Sequence, residues 1–147
     1  MDPDLFTPDD EYVDPVFGRI ALQFGRWQGE VPFAHRATGA ERLQLIIDAG
    51  KGRPTDAQRE LFLEISDRYA TLWPAIAEAL ALHHDVLGTR GAVEQYINAP
   101  CLELPPLPIG LPREWHLQYT FELASEGDGA HWAHFREWEL VSLEGSG

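Results

Sequence analysis

The chain has 147 residues, 24 acidic against 11 basic, with a formal charge of −13, one cysteine and 44% apolar residues. That size suits one domain able to bury a core without metal or disulfide, and five tryptophans exclude global disorder. An acidic chain repels phosphate backbones and anionic membranes, so neither nucleic acid nor membrane is an expected ligand.

Residues 1–15 read as an acidic N-terminal arm, with residues 16–147 as a single domain. Pro3, Pro8 and Pro15 break helices and the aspartates favour turns. The arm has neither a basic nor an apolar stretch, so no secretory signal is expected. Cys101 has no second cysteine to pair with, which fits a reducing cytoplasm.

Three strands follow. Val16–Leu22 and Trp27–Phe33 alternate apolar and polar residues across a short link containing Gly25, predicting an antiparallel hairpin. Pro32 cannot donate to a ladder and marks an edge or a strand end. In Glu41–Ala49, Leu43, Leu45 and Ile47 face one way.

Thr55 and Gln58 have capping-box spacing, and Leu61, Phe62, Ile65 and Tyr69 recur at helical intervals, with Glu60, Glu64 and Asp67 on the wet side. Glu64 and Arg68 form an i,i+4 pair of favourable order. A break near Ala70-Thr71, with Pro74 in a new first turn, predicts a second helix carrying Ile76, Leu80, His84 and Leu87. Gly91–Asn98 fits a helical turn or a strand. Five prolines between Pro100 and Pro112 predict an extended connection packed through its leucines.

Trp115–Leu123 is a half-buried strand, and His131–Leu143 returns beside it. Its apolar residues change parity between Phe135 and Trp138, which a β-bulge near Arg136-Glu137 would reconcile. The expected fold is therefore α+β: an antiparallel sheet of about five strands, three N-terminal plus a C-terminal hairpin, packed against a central α-hairpin.

The residues Asp14-Pro-Val-Phe-Gly, Trp27-Gln-Gly-Glu, Thr55-Asp-Ala-Gln-Arg and the hairpin from Glu114-Trp115 to Glu137-Trp138-Glu139 resemble those of a family of small uncharacterised bacterial α+β domains. The resemblance spans residues 14–141. It implies the fold and a place among toxin-immunity proteins, and it transfers no catalytic residue.

Catalytic and metal motifs are missing. There is no G-x-S-x-G, phosphate loop, C-x-x-C or H-E-x-x-H. His83-His84-Asp85 are helix neighbours about 100° apart, and His131-x-x-His134 on a strand points to opposite faces. No cofactor is expected. The charge is concentrated at the ends: residues 1–18 carry −6, residues 19–113 carry −1 and residues 114–147 carry −6. If those ends converge, their fields add into one surface for a basic protein partner, plausible for an immunity protein neutralising a bacterial toxin. The partner-binding candidates are Asp9, Asp10, Glu11, Glu122, Glu126, Asp128, His131 and Trp132, with Trp132 as the anchor near a hairpin tip. The alternative is a metal-dependent hydrolase assembled from distant His and Asp/Glu residues.

Overall fold

The computed structural model describes residues 10–35, 40–86, 100–123 and 127–146; for 33–35, 40–41, 83–86, 121–123, 127–129 and 145–146 it describes the backbone alone. Eight strands form one sheet: β1 (Asp10–Asp14), β2 (Gly18–Gln23), β3 (Arg26–His35), β4 (Ala40–Ile47), β5 (Cys101–Leu104), β6 (Glu114–Leu123), β7 (Gly127–Arg136) and β8 (Glu139–Ser146). Each pairs with its sequence neighbour, so β1 and β8 are the two edges. All pairs are antiparallel except β4 and β5, which a helix, α1 (Asp56–Val86), joins as a parallel crossover.

The expected five strands on an α-hairpin are thus corrected to eight strands and one helix. Alternation placed the core face correctly: Ile20, Trp27, Val31, Leu43, Leu45 and Ile47 are buried, as are Trp115, Leu117, Tyr119, Ala133 and Phe135. Across from them α1 buries Leu61, Phe62, Ile65, Tyr69, Leu72, Ile76 and Leu80. That stripe keeps helical spacing through residues 70–71, so a continuous helix buries both halves at once. The gain outweighs the one backbone bond that exposed Pro74 removes, and no break forms. At 31 residues α1 runs for about 46 Å.

Two strands came from segments read otherwise. Asp10–Asp14, expected in the arm, forms β1 on the edge beside β2. Cys101–Leu104, expected as an extended connection, is a central strand with Leu102 and Leu104 fully buried. The parity change after Phe135 is a turn at Glu137-Trp138, where Glu137 has φ 50°, and it begins β8. A register shift at His134/Phe135 accompanies it. Trp138 and Leu140 still pack against the core.

Pro32 lies inside β3. The β2 partner residues reach only to Gln28, so its missing N–H interrupts no ladder on that side. At Gly29 β3 leaves no room for a side chain: a Cβ there would come within 2.9 Å of the Ile20 side chain and 3.1 Å of the Arg19 carbonyl.

The helix start is tied down by a polar knot. Thr55 N–H donates to Gln58 Oε1 (3.0 Å) and Gln58 N–H donates to Thr55 Oγ1 (3.2 Å), forming the expected capping box. Fully buried Gln58 also donates through Nε2 to the carbonyls of Asp48 (2.8 Å) and Pro105 (3.0 Å). One amide therefore links α1 to the ends of β4 and β5. Farther along, Arg68 lies over the Trp138 ring, while Glu64 pairs with Arg113; the expected Glu64–Arg68 pair is replaced by these longer contacts. His84, Leu87 and Gly91–Asn98 lie outside the residues whose side chains are described.

Candidate functional site

Because α1 covers one face of the sheet, the candidate functional surfaces are the other, outer face and the solvent side of the helix. Strand pairing lines up the outer face in rows. One row runs Gln28, Ile46, Glu103, His116, His134 and Ser142; the next runs Glu30, Gln44, Cys101, Gln118, Trp132 and Glu144. Over β2–β4 this face forms an open cleft of about 620 Å³, lined on its polar side by Arg19, Gln28, Glu30, Arg42 and Gln44. Its charges cancel locally, since Arg19 pairs with Glu11 and Arg42 with Glu30 (3.0 Å).

The arginines elsewhere are committed in the same way. Arg53 reaches Asp10 (3.9 Å) and lies over the Tyr12 ring, Arg59 holds Asp14, Arg68 covers Trp138, Arg113 binds Glu137 and Glu64, and Arg136 reaches Glu114 (3.4 Å). Among the described residues only Arg26 and Lys51 remain as cations without such a contact. Among the described residues Glu60, Asp67, Glu78, Glu139 and Asp48 have no cationic partner. The first three lie on the exposed side of α1, seven and eleven residues apart, on one flank of the helix.

Burial would raise the Asp14 pKa, but Arg59, the N–H groups of Phe17 and Val16 and the Tyr12 hydroxyl together hold it far below the usual carboxylate range. The same pairing raises Arg59. Arg113 likewise lowers Glu137. These ion pairs fasten the ends of the chain to its body.

The sequence-derived candidates fall in several places. Asp10 and Glu11 stand on β1, each near an arginine; Trp132 is half-buried on the outer face of β7, between Gln118 and Glu144. His131 points to the core side and is 0% exposed, so it offers no contact surface. Asp9 and Glu126 lie outside the described residues; Glu122 and Asp128 face each other in the β6–β7 ladder, their side chains undescribed. For the described residues the expected convergence of the two acidic ends is corrected by the strand order, because β1 and β7–β8 lie at opposite ends of the sheet; residues 1–9 lie outside the described residues.

Sequence reading passed over a carboxylate and imidazole cluster on the second half of the sheet. His116 Nε2 is 2.8 Å from Glu103 Oε2, and His134 Nε2 is 3.5 Å from Glu144 Oε2. The signal was hidden because Glu103 lies in a proline-dense stretch not read as a strand. Among the described residues no group of three or more His, Cys, Asp or Glu side chains is placed to hold a metal ion. Cys101, on the outer face, is buried, and burial followed by the nearby Glu103 charge pushes its thiol pKa up to about 11. At neutral pH it is a protonated thiol and a poor nucleophile.

No protein-family model, curated protein or solved structure matches the chain. Among the described residues no helix is long and apolar enough to cross a membrane.

Proposed function

We propose that the chain is a non-enzymatic binding protein, acting in the cytoplasm, that presents an acidic surface to a basic protein partner, with neutralisation of a bacterial toxin as the role its family resemblance implies. The observation that supports this reading is the commitment of its arginines. Each described arginine except Arg26 is spent inside the molecule, on a carboxylate or an aromatic ring. Among the described residues no cationic face offsets the net excess of negative charge. Glu60, Asp67 and Glu78 on the outer side of α1 are the carboxylates free to meet a cationic surface. Such fields raise encounter rates and select against acidic competitors.

The test is affinity capture from the native host at low and at high salt. The reading expects one basic protein retained at low salt and released at high salt, with retention lost in the Glu60→Lys, Asp67→Lys, Glu78→Lys variant. Retention of a partner regardless of salt and of those substitutions would remove the electrostatic basis.

A further inference from the structure

We propose that His116 and His134 form a two-histidine chelate for a borderline transition-metal ion of the Zn²⁺, Cu²⁺ or Ni²⁺ class. The two residues are directly opposed on β6 and β7 and project from the same outer face. Their ring centres are 5.3 Å apart, with 50° between the planes. Two imidazole nitrogens sharing one ion at about 2.05 Å, at a tetrahedral angle, place the ring centres about 5.2 Å apart. The observed ring-centre distance matches that spacing.

The surroundings suit ligation. Glu103 stands behind His116 at 2.8 Å, in the arrangement by which a carboxylate fixes a metal-binding imidazole and leaves its other nitrogen as the donor. Nε2 of His134 makes no hydrogen bond, and Glu144 Oε2 stands 3.5 Å from it. The side chains are 26% and 36% exposed, while His134 Nε2 itself is enclosed, so an ion reaches that nitrogen by a turn of the ring. A cavity of about 210 Å³ lined by Pro105, Glu114, His116, His134 and Val141 adjoins the pair and leaves room for the waters that would complete the coordination shell. This site is independent of the acidic helix face and of any protein partner.

Calorimetric titration of the metal-stripped full chain with Cu²⁺, the tightest binder in the divalent series, tests it. One equivalent should bind, and His116→Gln or His134→Gln should each weaken binding at least about tenfold, while a His83→Gln, His84→Gln variant keeps wild-type affinity. Electron paramagnetic resonance of the wild-type complex should show two coordinated imidazole nitrogens, a readout that needs no variant to fold. Absence of a one-to-one complex, binding indifferent to both substitutions, or a spectrum without two nitrogens would overturn the proposal.

Discussion

Arg59 Nε and Nη2 hold the Asp14 carboxylate at 3.0 and 2.7 Å, joining the end of the first strand to the first turn of the helix. Asp14 is fully enclosed and also accepts from the N–H groups of Val16 (2.9 Å) and Phe17 (3.1 Å). Asp14→Ala leaves the largely buried Arg59 guanidinium with only the exposed Asp56 carboxylate as its anion (2.9 Å) and should cost about 3 kcal/mol in urea unfolding at pH 7. The folded carboxyl titrates below its ordinary value of 3.8. Its contribution is therefore complete above that pH and is lost as pH falls through the folded value, so wild type and variant should converge in strong acid.

Gln58 gives a second, uncharged test. Gln58→Leu preserves bulk but leaves the half-buried carbonyls of Asp48 and Pro105, just past β4 and β5, without their donor. The expected loss is about 2–3 kcal/mol by thermal or urea unfolding. Thr55→Ala, which removes only the cap hydroxyl, should cost about 1 kcal/mol.

Pro74 works in the opposite direction. It sits in the helix interior with its side chain exposed. Pro74→Ala restores a backbone donor and relieves the preceding turn, and should raise stability by about 1–3 kcal/mol. Unchanged or lower stability in calorimetry would show that the proline serves packing at the helix surface.

Cys101 should resist alkylation. With its thiol pushed up to about 11 and 8% exposed, iodoacetamide at pH 8 should label it slowly in the folded chain and readily in urea. Fast labelling of the native protein would show that the outer face opens around β5.

Much of the inner face was legible because it obeys simple periods. Alternation identified Leu43, Leu45 and Ile47 on β4 and Trp115, Leu117 and Tyr119 on β6, and Thr55 with Gln58 marked the helix start. What failed were local signals overruled by tertiary burial. Thr71 and Pro74 read as a new helix start, yet Leu72 and Ile76 had to reach the same sheet. The four residues of β5 were masked by flanking prolines, and only pairing with β4 and β6 makes them a strand. The outer-face cluster was illegible for the same reason. Glu103, His116, His134 and Glu144 come from four different strands, and their proximity depends on a register no local pattern encodes. Charge counting located the acids but not their partners, since Arg59 meets Asp14 across 45 residues of chain.

The most direct measurement is the association rate of the salt-sensitive partner, followed by stopped flow over a range of ionic strength. For wild type the rate should fall steeply as salt screens the field. Glu60→Lys, Asp67→Lys, Glu78→Lys should start at least about tenfold slower and lose most of that salt dependence. Equal rates and equal salt slopes for the two proteins would contradict an acidic docking face on α1.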